Sequence, residues 1–159
     1  KGKPVFIAGI GWAQHTPNLE ARDWGRAVYA ELAAQQAYRM AGIKAPRRQV
    51  DFAEVDDTFA YKELQHIEAL GLARPGQAGR RLAEGYYDAG GKLPVNVSGG
   101  SLGCGYTYDM SGLRSVLEVV LQLRGEAGAR QLPGVKVGLA QSWRGIPTAS
   151  GGVAILSSE

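Results

Sequence analysis

Asn96-Val-Ser-Gly-Gly-Ser-Leu-Gly-Cys-Gly-Tyr-Thr-Tyr-Asp-Met-Ser-Gly112 runs straight into an apolar helical pattern and carries two tyrosines and the chain's single cysteine. Glycine reaches backbone conformations and approach distances that a Cβ forbids. Such a segment beside a helix can close around a substrate and place a proton donor against it. The Gly99-Gly100 and Gly103–Gly105 pattern can in principle cradle phosphate. No lysine follows in the P-loop position, so close backbone packing is the preferred use.

Outward from this segment the pattern is regular. Ser111 to Arg124 predicts a helix with Ser111 as its cap, Leu113, Val116, Leu117, Val120 and Leu123 as its apolar side, and Gly125 as its stop. Two strands follow, Val135–Ala140 and Gly151–Leu156, joined by a turn over Trp143–Pro147. Upstream, Pro4–Gly11 reads as a buried strand. Asp23 can cap a helix that reaches Ala41, with Trp24, Val28 and Leu32 at four-residue spacing and Gly42 ending it. Val50–Val55 is a short strand whose Asp51 and Glu54 suggest wet ends. A helix over Tyr61–Leu70 stops at Gly71, and a weaker helix spans Gly79–Tyr87. Strands alternating with helices predict an α/β fold: a layered, mixed but mainly parallel sheet with helices on both faces, closed by an antiparallel hairpin. At 159 residues the chain suits a single domain over residues 1–159.

Composition narrows the function. The net charge of +3 comes from scattered residues such as the pairs Arg47-Arg48 and Arg80-Arg81, not from the stripe that nucleic-acid binding needs. A few positive charges equally suit an anionic small molecule. No apolar run approaches the ~20 residues of a membrane span. A lone cysteine excludes an internal disulfide and fits a cytoplasmic setting. One cysteine and two distant histidines make no structural zinc set, so no metal is expected. Gly9-Ile-Gly11 lacks the further glycine of a dinucleotide fingerprint, because Gln14 stands there.

Several blocks resemble the C-terminal half of the thiolase superfamily, in its lipid-transfer-protein and thiolase-like aldolase branch. They are Glu54-Val-Asp-Asp-Thr-Phe-Ala60 with Glu63-Leu64, then Glu68-Ala-Leu-Gly-Leu72, then Leu93-Pro-Val-Asn-Val-Ser-Gly-Gly100, and the helix Gly112–Gly125. Residues 1–49 match only in layout. The resemblance implies a layered half-fold whose nucleophilic cysteine lies in an N-terminal half absent from this sequence. It also implies a chain that is either a fragment or a split subunit.

The departures from the family are as informative. Tyr106 and Thr107 stand where thiolases carry histidine and proline, Asp109 replaces a glycine, and Asp56 replaces a histidine or asparagine. Ser142-Trp143-Arg144 holds no cysteine where the second thiolase cysteine belongs. Histidine shuttles protons near neutrality, whereas a tyrosine with an ordinary pKa near ~10 donates a proton or must be activated to accept one. Aldolases of this superfamily that act in steroid side-chain degradation use tyrosines in place of cysteine and histidine. They cleave a β-hydroxyacyl-CoA by a retro-aldol reaction. By that resemblance the catalytic candidates are Tyr106, Tyr61 and Asp56, with Gly99, Gly100 and Gly105 against the substrate. The coenzyme A thioester is the substrate, and no cofactor is covalently bound. The implied partners are an N-terminal-half chain and a zinc-ribbon/OB-fold protein, in a hetero-oligomer.

Other readings stay open at this stage. Tyr106 and Tyr108 can simply pack the segment, Tyr61 can be a plain helix-start residue, and Asp56-Asp57 can be helix-capping charge. Cys104, two residues before the histidine position, reads as a small buried thiol. His66 reads as structural and His15 as a loop residue. Two further functions remain: a divergent acyltransferase whose cysteine and histidine sit on a partner chain, and a non-catalytic acyl-CoA or lipid scaffold.

Overall fold

The computed structural model describes residues 2–145 and 149–159. The strands are β1 (Phe6–Gln14), β2 (Phe52–Glu54), β3 (Val137–Arg144) and β4 (Ser150–Ser157). The helices are α1 (Val28–Ala41), α2 (Pro46–Gln49), α3 (Ala60–Ala69), α4 (Ala78–Ala83), α5 (Gly100–Cys104) and α6 (Ser111–Arg124). The mixed α/β architecture is as expected, but the mainly parallel sheet is not. The strand order is β1-β4-β3-β2, with β1–β4 and β4–β3 antiparallel and only β2–β3 parallel. The cause is the closing hairpin. β1, β2 and β3 all run one way, and β4 folds back and inserts between β3 and β1, so both of its pairings are antiparallel.

Helices cover both faces, and strand alternation sorts the core into two layers. Ala53, Leu139, Val153 and Ile155 pack with Ala33, Ala34 and Ala37 of α1. Phe52, Ala140 and Leu156 point the other way, to Val119 and Leu123 of α6. The α1 face is alanine, so the helix lies almost on the sheet. A Cβ at Gly9 or Gly11 would run into the carbonyl oxygens of Ala37 and Ala33.

Several sequence expectations shift. α1 begins at Val28, leaving Asp23 and Trp24 outside it, and Trp24 and Leu32 are exposed. β1 is an edge strand with one open side, since Ile7, Ile10 and Trp12 face out. Glu54, expected at a wet strand end, is buried. Ser111 does not cap α6; its hydroxyl accepts from Thr107 N. Leu113 and Leu117 are uncovered while Glu118, Val119, Gln122 and Leu123 are buried. Trp143 and Arg144 belong to β3 and not to a turn, and Ile146 and Pro147 of that expected turn lie outside the described residues. No helix among the described residues is long and apolar enough to cross a membrane.

Candidate functional site

β2 ends at Glu54, and the chain continues through Asp56 and Asp57 directly beneath the glycine-rich segment. Asn96 ties the two together. Val95 forms a parallel bridge with Ala53, Asn96 N donates to Ala53 O at 2.9 Å, and Asn96 Oδ1 accepts from Val55 N at 2.8 Å. Asn96 Nδ2 donates to Glu63 at 2.8 Å, so α3 is tied to the same junction.

Two buried carboxylates then grip the segment by its backbone. Asp57, 3% exposed, accepts from Ser101 N at 2.6 Å and from Leu102 N at 3.3 Å. Glu54, 1% exposed, accepts from Ser98 N at 3.1 Å and from Ser98 Oγ at 2.5 Å. Gly100 has φ +58°, and a Cβ there would fall inside the Asp57 carboxylate, so only glycine allows this approach. The Gly100 constraint therefore comes from Asp57. Gly99 is also left-handed at φ +96°, and Gly105 at φ +87° faces open space. Arg114 of α6 closes the far end, donating to Gly105 O at 2.6 Å and to Ser101 Oγ at 3.2 Å.

Among the three catalytic candidates, Asp56 is buried. Its Oδ1 accepts from Thr58 N at 3.1 Å, its N donates to Gln141 Oε1 at 2.8 Å, and its carbonyl meets His66 Nδ1 at 2.7 Å. Asp56 also lines a polar cavity of about 10 Å³ with Glu54, Asp57, Ser98, Ser111 and Ser142, roughly the least space that holds one water. Tyr106 is half-exposed at the tip of the segment, 5.5 Å from the ring of Tyr108, which itself sits at φ +52°. Tyr61 starts α3, stacks on Phe59 at 6.0 Å, and opens onto a different cavity with Trp24, Tyr29, Lys62 and Trp143. The fold thus joins Asp56 to the base of the segment. Among the described residues, no hydrogen bond or ring contact links Tyr106 to Tyr61 or to Asp56. The expectation for Cys104 is corrected: the thiol is exposed, and donates to Ser98 O at 3.0 Å.

Sequence reading missed Glu54, Ser98 and Tyr29. Burial pushes the Glu54 carboxyl up to about 7, with Glu118 and Asp57 adding to the rise and the Ser98 bonds opposing it. Its signal was present: a carboxylate on the same strand face as Phe52, two residues away, points inward. Tyr29 OH meets His66 Nε2 at 2.9 Å beneath Trp143, stacked on Tyr29 at 6.3 Å. Burial raises the Tyr29 phenol and lowers His66 to about 4, so this pair is a neutral brace between α1 and α3. Lys62 Nζ lies 4.8 Å over the Trp143 ring, and burial, followed by Arg22, lowers its pKa.

The description "Thiolase C-terminal domain-like" matches residues 11–158. The chain belongs to the thiolase C-terminal domain-like family. An acetyl-CoA acetyltransferase of Methanothermobacter thermautotrophicus is 35% identical over 140 residues, 87% of this chain and 36% of the relative. Sterol carrier protein 2 of Bos taurus is 40% identical over 107 residues, 67% of this chain and 19% of the relative. The Ltp2-ChsH2(DUF35) aldolase superposes with a TM-score of 0.81 at 27% identity, over 99% of this chain and 40% of that one. A monomeric SCP2-thiolase-like protein of Mycobacterium smegmatis shares the fold, with a TM-score of 0.66 at 22% identity over 98% of this chain and 29% of that one. The thiolase-like half therefore spans about a third or less of its curated relatives. Among the described residues no group of three or more histidine, cysteine or carboxylate side chains is placed to hold a metal.

Proposed function

We propose that this chain is the C-terminal half of a thiolase-like aldolase that cleaves a β-hydroxyacyl-CoA, with the Tyr106 hydroxyl handling the proton. The observation that carries this reading is the likeness to an aldolase chain over 99% of the sequence, combined with tyrosine at the tip of the pinned segment. In the step, a base takes the proton of the β-hydroxyl and the Cα–Cβ bond breaks. The β-carbon leaves as a carbonyl, and the electron pair becomes the thioester enolate, which is then protonated. No acyl-enzyme forms, so no cysteine nucleophile is required. Asp56 would orient a water at the base of the segment, Tyr61 would border the substrate, and Gly99, Gly100 and Gly105 would let the backbone approach it.

The reaction would need the rest of the assembly. Ile10 and Trp12 stand exposed and line an apolar groove of about 280 Å³ that also includes Val116 and Ala154, and Leu113 and Leu117 are exposed on α6. We assign this face to an N-terminal-half chain, and a zinc-ribbon/OB-fold protein would complete the hetero-oligomer in the cytoplasm. The test is Tyr106→Phe in the purified complex, assayed for cleavage of a β-hydroxyacyl-CoA. Loss of about 10²-fold or more in rate is expected for a lost proton-transfer group. Undiminished cleavage would remove Tyr106 from the chemistry.

One observation favours a second reading. The acetyltransferase relative points to acyl transfer with cysteine and histidine supplied by the partner. An acyl group trapped on the partner chain would select it. Acyl-CoA binding by the complete complex with no turnover of either kind would instead leave a non-catalytic scaffold.

A further inference from the structure

Among the described residues, no lysine or arginine forms an ion pair with Glu54. Glu118, which faces it from α6, holds Arg130 at 2.7 Å, so that guanidinium reaches Glu54 only at longer range. The other charged or titratable groups near the segment's base are Asp56 and Asp57 from the chain after β2, Cys104 from α5, and Arg114 from α6, which is engaged by Gly105 O and Ser101 Oγ. A buried carboxylate is costly unless it is paired and hydrogen-bonded. Among the described residues this one has only the amide and hydroxyl of Ser98. Ser98 in turn distributes the grip: its Oγ accepts from Gly100 N at 3.1 Å and its carbonyl accepts from the Cys104 thiol.

We propose that Glu54 is the positioning residue of the Ser98–Gly105 segment, its ionised carboxylate holding Ser98 in place and its protonation loosening that hold. The geometry requires this coupling. An ionised carboxylate accepts both Ser98 bonds. A protonated one adds a second hydrogen to the 2.5 Å gap between Oε2 and Ser98 Oγ, where only one fits. Either the serine hydroxyl turns away or the bond reverses. The first moves the group that Gly100 N and α5 rest on, and the second exchanges a charge-assisted bond for a neutral one about half as strong. The Asp57 and Arg114 anchors remain, so the change is a loosening at one of three points and not an unfolding. Burial places the titration close to neutrality. The inference concerns the segment's hold and does not depend on the reaction class.

Cys104 is a built-in reporter, being the chain's single cysteine, exposed, and bonded to the Ser98 carbonyl. The experiment measures its rate with a pyridyl disulfide from pH 6 to pH 8.5, divided by the rate for glutathione at each pH. Backbone amide exchange over residues 98–105, divided by the intrinsic rate, is followed in parallel. The purified protein with any co-purifying partner is used, and no substrate is added. Both ratios should be several-fold higher at pH 6 than at pH 8.5. Glu54→Gln and Ser98→Ala should each be high and flat with pH. A flat profile in the unaltered protein, or a pH step that survives in either variant, overturns the proposal. Neither result bears on Tyr106, whose test is the cleavage assay.

Discussion

His66 donates through Nδ1 to the Asp56 carbonyl, which leaves Nε2 free to accept the Tyr29 hydroxyl. Both ring nitrogens are used only while the ring is neutral. Burial depresses the imidazole to about 4, below its unfolded value near ~6.5. A depressed folded pKa means that this stability is present above ~6.5 and is lost as pH falls through about 4. The size is on the order of 3 kcal/mol. The His66 contribution should therefore fall between pH 6.5 and 4, and urea unfolding reads it as the difference in pH slope between the purified protein and His66→Gln, whatever the variant's cost at pH 7. An equal slope in the variant would contradict the neutral brace. Glu54 has the opposite sign: its raised pKa favours the folded state at low pH, and that benefit is lost as pH rises through about 7. The family resemblance implied that the Asp56–Ala60 block and the glycines approach one pocket. It could not show that Asp57 and Glu54 face the segment's amides, since those bonds join residues 44 positions apart. The exposure of the Cys104 thiol was hidden because burial of a side chain on a short glycine-rich helix leaves no periodic signal in the sequence.

Element boundaries were largely legible, because capping glycines and helical periodicity are local. Gly42, Gly71 and Gly125 all take left-handed φ at or just past helix ends. The strand order was not legible, because an inserted final strand leaves no mark on periodicity. Nor was the buried face of α1: Val28 and Leu32 suggest the stripe, whereas Ala30, Ala33, Ala34 and Ala37 are buried together with Tyr29 and Tyr38. The cause lies in the sheet, where Gly9 and Gly11 let the helix backbone descend. Gly11→Ala must push α1 away from β1 and β4, with a cost of about 1–3 kcal/mol or more. Leu32 lies on the outer side of the same helix and is exposed, so Leu32→Ala should change stability by well under that amount. Thermal or urea unfolding of the two variants compares them directly, and a Gly11→Ala protein as stable as Leu32→Ala would refute the close-packing account.

At the scale of the whole molecule, the fold is two-faced in an unequal way. α1 covers β1 and β4 closely, while α6 lies over β2 and β3 and leaves the outer side of β1 bare. Ile10 and Trp12 on that strand face the same groove as Val116 of α6. Leu113 and Leu117, one helical turn apart on the same helix, are exposed apolar side chains. Contiguous exposed apolar surface of this kind marks an interaction site. The chain spans 40% of the aldolase chain it superposes on, and the proposed N-terminal-half chain is the occupant assigned to this face. Each large apolar side chain covered by a partner contributes about 1.5–3 kcal/mol. Under the proposed docking of an N-terminal-half chain, replacing Leu113 and Leu117 together by serine should abolish co-purification with it while leaving the segment over Asp57 intact. The same double variant, expressed alone, should self-associate less than the unaltered chain. Pull-down and light scattering read the two effects separately. A partner that still co-purifies with the serine variant would place the docking face elsewhere, and the groove beside β1 would then need another occupant.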